Sequence, residues 1–326
     1  MNKISIRLIQ KSEELPEMVC NNFFHSIDFF LIAEKTSGYT PLMVIAEDKN
    51  GNILAHLLAM ICWHGKLFPP YMYTHGRVYG EGEYAPGTDR ERIFGMMLKA
   101  VTQKFNHKLC LYIEFSDMSN KMFAYRHFRK NGYFPIPWQE IHNSLHSLSP
   151  EKRISDKTMA KIETARKHGV YTREIKNEEE LTVFYKLLRN YFRFKTRRSI
   201  PQKKMFSLMN ASGNSKTFVS IYKNKIIGGC VCIYSGNNAY MWYLASKRKT
   251  YIHLSPSCIT VWSAIKYAYN NGYDHIYFLD AGLPFRNNPF REFILSFGGK
   301  PVAKYRWFRL PISCINNFLS WCYNDK

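Results

Sequence analysis

The same order of secondary-structure signals occurs twice in this chain, about 165 residues apart, and this restricts the fold more than any other feature. Ile93 to Phe105 carries a helical apolar stripe through Ile93, Met96, Met97 and Val101, and Leu109 to Phe115 follows as a strand. Ile259 to Tyr269 and then His275 to Asp280 repeat that pair. Downstream, Arg129-Lys130-Asn131-Gly132-Tyr133 aligns with Ser296-Phe297-Gly298-Gly299-Lys300. Upstream, each copy has a hairpin. Pro41 to Glu47 and Ile53 to Ile61 flank Asp48-Lys49-Asn50-Gly51-Asn52, where Asn-Gly supplies the positive φ angles of a tight turn. Lys216 to Tyr222 and Ile226 to Tyr234 flank Lys223-Asn224-Lys225, and Ala239 to Ala245 is a further strand. Asp28 to Lys35 reads as a short amphipathic helix, and Asn270-Asn271-Gly272 as a helix C-cap. The pattern predicts an α/β fold with mixed sheets in two tandem domains, 1–148 and 149–326. A helical connector over Ser149 to His168 opens the second, with Ser149-Pro150 as N-cap and first-turn proline.

Charge separates the halves. The net charge is +21, and residues 151–326 hold 30 Lys and Arg against 11 Asp and Glu. No carboxylate occurs from Leu181 to Tyr273, a window with 15 Lys and Arg. Solvated surfaces mix signs, so this depletion points to a polyanionic partner: RNA, a phosphorylated substrate or an anionic membrane face. No secretory leader and no apolar run long enough to span a membrane is read in the sequence, so a cytoplasmic location is expected. The eight cysteines include no CxxC, and Cys230 and Cys232 read as buried, reduced core thiols. No metal site is expected. His56, His64 and His75 are assigned core or surface roles.

A hairpin, a strand, a helix, a strand and then a helix ending in Gly resembles the GNAT acyltransferase order. Two such copies resemble the FemABX family, whose members transfer aminoacyl groups in cell-wall precursor synthesis. Lys161-Ile162-Glu163-Thr164-Ala165-Arg166-Lys167-His168-Gly169-Val170 is similar to the family's basic helix before Gly-Val. Asp280-Ala281-Gly282 followed by Pro289-Phe290-Arg291-Glu292-Phe293 is similar to its Asp-x-Gly strand end and Phe-Lys pair. Arg291 stands where the family has Lys, a change from an ammonium to a planar fork. The segment Ser246 to Ser257 lacks the Gly-rich phosphate loop of ordinary GNAT enzymes. In the first half, Gly80-Glu81-Gly82-Glu83 carries acids that would repel a pyrophosphate. The first domain is therefore expected to be a degenerate, acceptor-side or structural partner.

The resemblance implies acyl or aminoacyl transfer to an amine on a phosphorylated or lipid-linked acceptor. The co-substrate would be aminoacyl-tRNA or acyl-CoA, with no bound cofactor and possible peripheral contact with the inner membrane surface. Lys247, Arg248 and Lys249, with the N-terminus of the following helix, are candidates for the donor phosphates, and Ser255 or Ser257 either adds a hydroxyl or caps the helix. By the analogy, Arg291 would stabilise the oxyanion or the leaving group. Asp280 would orient the acceptor amine or relay its proton, or cap the next turn. Tyr243 would line the groove or belong to the core. Arg193, Lys195, Arg197 and Arg198, interleaved with Tyr191, Phe192 and Phe194, would contact a nucleotide-linked acceptor in the family and could also grip single-stranded RNA. Two other readings remain at this point: an acyl-CoA-dependent N-acyltransferase acting on a sugar or small amine, and a non-enzymatic RNA- or membrane-surface-binding protein on a GNAT scaffold. An open groove from Ser255 to Arg291 would favour an enzyme, and filling by Trp242, Tyr243 or Trp262 a scaffold. The amphipathic stretch Pro311 to Tyr323 is expected to pack on the second domain.

Overall fold

A computed structural model describes residues 4–66, 71–193, 200–279, 281–284 and 287–324. The chain forms two compact units, residues 1–138 with 303–326, and residues 139–302. The division does not follow a single cut at 148/149. Residues 139–148 cluster with the second unit, and the C-terminal strand and helix return to the first.

In the first unit, β1 (Ser5–Ile9), β2 (Tyr39–Glu47), β3 (Ile53–Lys66), β4 (Tyr71–Tyr79) and β6 (Tyr112–Ser116) lie in that order, with β5 (Glu83–Tyr84) paired to β3. The β4–β6 pair is parallel, and the helix that crosses between them is α2 (Arg90–His107). Asp89 starts α2 by accepting from Arg92 N–H at 3.1 Å. The apolar stripe of α2, including Ile93, Met97 and Val101, is buried against Leu42, Val44, Leu57 and Val78. The short α1 (Ile27–Glu34) is capped by Ser26, whose hydroxyl accepts from Phe29 N–H, and α3 (Tyr125–Lys130) follows β6. The returning strand β13 (Lys300–Arg309) pairs with β6 at Trp307↔Phe115. Gly80-Glu81-Gly82-Glu83 is a tight turn into β5, with φ of 78° and 90° at the two glycines. Its Glu81 is buried against Arg90 and Ser119.

In the second unit, the end of β7 (Phe134–Ser144) pairs with β12 (His275–Phe278), followed by β11 (Asn238–Ser246), β10 (Lys225–Ser235), β9 (Ser215–Tyr222) and β8 (Tyr171–Glu174). Lys223 and Asn224 both take positive φ, so the hairpin turn forms without glycine. The connector is α4 (Asp156–Lys167), which starts after a 3-10 turn at Pro150–Lys152 rather than at Ser149. α4, α7 (Pro256–Asn270) and α8 (Pro289–Leu295) contribute to one core, with Ile162, Ile259, Trp262, Ile265 and Ile294 packed on Cys230, Cys232, Met241 and Leu244. Cys230 and Cys232 are fully buried free thiols. Phe184 of α5 (Glu178–Phe192) and Phe206 of α6 (Lys203–Ala211) pack elsewhere on the sheet, at Gly229 and at Trp242 and Tyr243.

Two adjacent glycines let helices approach both sides of β10. A Cβ on Gly228 would lie 3.0 Å from Thr260 Oγ1 and 3.5 Å from Pro256 Cβ, both on α7. A Cβ on Gly229 would lie 2.7 Å from the Phe184 ring on α5. Successive strand residues point to opposite faces, so the pair clears space once for each helix.

The amphipathic C-terminal segment forms α9 (Ser313–Asn324) and belongs to the first unit, not the second. Asn316 Nδ2–H donates to Gly132 O at 3.0 Å, Arg129 donates to Ser320 Oγ at 3.2 Å, and Tyr323 stacks on Phe134. β13 carries this helix with it when it joins β6.

Among the described residues, no helix is long and apolar enough to cross a membrane.

Candidate functional site

The site begins where β11 parts from β12. Their parallel ladder runs from Asn238↔His275 to Met241↔Phe278. β11 continues from Trp242 to Ser246, paired with β10 alone among the described residues. At this point the β10 register jumps from Val231↔Tyr243 to Cys232↔Met241, leaving Trp242 as the extra residue of a bulge. The effect is visible in the packing. Met241 and Leu244 join the core with α7, whereas the consecutive Trp242 and Tyr243 both contact Phe206 of α6. A bulge bends its strand and ends regular pairing. Here the ladder with β12 ends at Met241↔Phe278, and β11 runs on into the loop 247–255.

That loop is tied at both ends. Lys247 N–H donates to Ile227 O at 2.8 Å, and the hydroxyls of Ser246 and Ser257 meet at 2.5 Å. A second run of hydroxyls, Thr172–Ser220–Thr260, links β8, β9 and α7 at 2.7 and 2.6 Å. Thr260 also donates to Pro256 O. The start of α7 is thus fixed to the sheet. Ser255 takes a left-handed conformation (φ 41°, ψ 54°) immediately before Pro256, a strained arrangement for a residue with a Cβ. No side chain caps α7: the Ser257 hydroxyl meets Ser246 and that of Ser255 reaches Ile252 O. The serines therefore do not serve as ordinary N-caps. Pro256 has no N–H and Cys258 N–H donates to Ser255 O at 2.8 Å, so of the first three residues of α7 only Ser257 N–H is left to an anion, with the positive end of the dipole. Lys247, Arg248 and Lys249 are exposed beside it in sequence, and no ion pair among the described residues involves them. By contrast, Lys203, Lys216 and Lys266 of the acid-free window are paired with Glu178, Glu174 and Glu151. Cys258, in the first turn of α7, is buried, and burial raises its thiol pKa, so it is poorly suited to be a nucleophile.

Tyr243 is 4% exposed, with its ring 5.5 Å from Phe206 and 6.0 Å from Phe192. Trp242 and Trp262 are equally buried. All three lie in packed layers of the second unit. Phe192 brings the end of α5, and Arg193 after it, toward Tyr243. Lys195, Arg197, Arg198 and Asp280 lie outside the described residues. Arg291 lies on α8 with its side chain 12% exposed, and donates to Leu283 O at 2.9 Å. Asn288 caps α8 through Phe290 N–H and also donates to Ala281 O at 2.6 Å. Gly282 (φ 87°) gives up its carbonyl to Gln139 N–H. Arg291 and Asn288 therefore hold the segment after β12 in place. Sequence reasoning passed over the Gly228-Gly229 pair and the Trp242 bulge. The glycine doublet was the available signal for the first, and nothing local marks the second.

Residues 156–287 match the family model described as "Acetyltransferase (GNAT) domain". No curated protein matches the sequence. The fold of the chain is similar to that of FemX, at 11% identity over 92% of this chain and 94% of that one, with a TM-score of 0.63. It is also similar to a tandem GNAT protein from the clavulanic acid biosynthesis pathway (10% identity, 94% and 98% covered, TM-score 0.60). A third similar structure is L-PGS from Bacillus licheniformis (12% identity, 91% of each chain, TM-score 0.58). Residues 156–287 thus match an acetyltransferase (GNAT) domain, and the fold of the chain is similar to those of FemX and of a tandem GNAT protein.

Proposed function

We propose that the second unit binds a phosphorylated acyl donor at the basic loop 247–255 and the start of α7. It transfers the acyl or aminoacyl group to an amine on a phosphorylated or lipid-linked acceptor. The observation that carries this reading is the exposed basic run Lys247-Arg248-Lys249, with no ion pair among the described residues, leading into a helix start that its N-cap side chain does not cap. The phosphates of a donor would meet the start of α7, with its positive dipole end, and Lys247, Arg248 and Lys249.

In the reaction, the acceptor amine attacks the donor carbonyl. A C–N bond forms, the C–S bond of a thioester or C–O bond of an aminoacyl ester breaks, and the amine proton is passed to the leaving group or to solvent. Holding both substrates in attack geometry supplies much of the rate without a covalent intermediate. Asp280 receives or relays the amine proton in this scheme. Arg291, which donates to Leu283 O, serves the developing oxyanion through its guanidinium charge. Ser255 and Ser257 border the donor phosphates. Arg193, Lys195, Arg197 and Arg198 receive the acceptor. The first unit is the acceptor-side or structural partner.

The similarity to FemX favours an aminoacyl-tRNA donor and a cell-wall precursor acceptor, and the charge of the second half agrees with so large a polyanion. The family match and the tandem GNAT protein favour the second reading, an acyl-CoA donor and a small amine or sugar acceptor. Titration of the purified chain with acyl-CoA and with aminoacyl-tRNA over a salt series separates them. Tight tRNA binding with a steep salt slope supports aminoacyl transfer, and saturable CoA binding with a shallow slope supports the second reading. Binding of neither contradicts the proposal.

A further inference from the structure

In the first unit, three side chains with metal-binding chemistry converge from distant parts of the sequence. One ligand atom each from Cys20, His56 and Glu83 lie within 4.8 Å of one another. His56 is on β3 and Glu83 directly opposite on β5, in the matched pair His56↔Glu83. Cys20 comes from the segment between β1 and α1.

The His56 ring is buried, with its side chain 5% exposed. Its Nε2 lies 3.4 Å from Glu83 Oε1, yet has no hydrogen-bond partner. The three donor atoms share one neighbourhood; a cation seated among them would take the place of the proton that the His56–Glu83 ion pair otherwise holds. The Glu83 carboxylate is oriented in advance, because its oxygens accept from Asn21 N–H at 2.8 Å and Asn22 N–H at 2.9 Å. The same two bonds hold the backbone next to Cys20 against β5. Beneath them, His25 is fully buried, with its ring nitrogens 3.1 Å from Leu58 N and from Gly82 N. This ring fastens β3 to the turn that carries Glu83. The donors therefore sit on a fixed frame, as a metal site requires. A cavity of about 660 Å³ lined in part by Asn21, His56 and Glu83 gives access.

We propose that Cys20, His56 and Glu83 form a binding site for a thiophilic divalent cation of the zinc class. A thiolate, an imidazole and a carboxylate select such an ion over magnesium or calcium, which prefer all-oxygen shells. Three protein ligands leave one tetrahedral position for water or a ligand from the cavity. The site is independent of the acyl-transfer reading, since it uses no residue of the second unit.

The test is titration of the full-length, chelator-treated protein with Co²⁺, followed by displacement with Zn²⁺. One equivalent of Co²⁺ should bind with a thiolate-to-metal charge-transfer band, and Zn²⁺ should abolish the band. Cys20→Ser should remove the band, and His56→Gln should raise Kd by about tenfold or more. Zn²⁺ should raise the melting temperature of the wild-type protein but not of Cys20→Ser, a comparison that also shows whether the variant folds. Cys20 is only partly buried, so its replacement leaves the core intact. Absence of saturable Co²⁺ binding, or a band that persists in Cys20→Ser and so belongs to another cysteine, would overturn the proposal.

Discussion

Ser246, the last residue of β11, and Ser257, in the first turn of α7, hold their hydroxyls 2.5 Å apart. This contact closes the loop 247–255 at its base and leaves its basic residues outside. Donor recognition in this account depends on the loop's charge and on the fixed position of α7, and the two can be perturbed separately.

Replacing Lys247, Arg248 and Lys249 together by Ser should weaken donor binding by about tenfold or more, since charge-assisted contacts to phosphate are lost. All three are exposed, so the melting temperature should hardly move. Equilibrium titration and a thermal melt on the same samples give both readings. Unchanged affinity removes the loop from the donor site.

Gly228→Ala and Gly229→Ala should differ. At Gly228 the new Cβ presses on Thr260 and Pro256 and displaces the start of α7, so donor affinity should fall with little loss of stability. At Gly229 the Cβ meets both the Phe184 ring and the Phe218 carbonyl at 2.7 Å, and one of these is backbone that cannot turn aside. Destabilisation of about 1–3 kcal/mol is expected there. Urea unfolding of the two variants checks the order.

Arg291→Ala should lower turnover by roughly tenfold or more, through loss of the bond to Leu283 O and of the proposed oxyanion contact. Arg291→Lys should restore part of it, because the charge remains and the fork does not. Steady-state kinetics of the pair decides this, and full turnover in Arg291→Ala removes the residue from the mechanism.

His75 gives the first unit a dependence on pH. Its ring is stacked between His64 at 4.8 Å and Tyr112 at 4.7 Å, with Tyr73 at 6.2 Å. Burial, helped by Arg77 and His64, lowers its pKa from 6.5 to about 3. The unfolded chain therefore takes up a proton that the folded one refuses. Stability should be unaffected above about pH 6.5 and fall below it by at most about 1.4 kcal/mol per pH unit. His75→Phe keeps the stack and should flatten that slope in urea unfolding at pH 7 and pH 4.5. Equal slopes in both proteins would contradict the assignment.

Much of this was legible in the sequence. The repeated helix and strand are α2 with β6 and α7 with β12, and both glycine turns after the next helix take positive φ, at Gly132 and Gly298. Local periodicity and turn chemistry carry that information. They do not carry strand pairing between distant segments. Nothing around Lys300 shows that β13 will join β6, and so the place of α9 was misread. β4 escaped notice because Tyr71 to Tyr79 mixes His, Arg and Gly with aromatics on a strand that is only half buried. Cys20, His56 and Glu83 follow no metal-motif spacing. They meet because β5 folds back onto β3, which only the tertiary structure reveals.

The most direct test of the central claim is backbone hydrogen exchange with and without a bound donor, using acyl-CoA and aminoacyl-tRNA in separate experiments. At least one donor should slow exchange in residues 242–258, covering the end of β11, the loop and the first turn of α7. Donor binding that leaves those amides unchanged and protects other segments alone would contradict it.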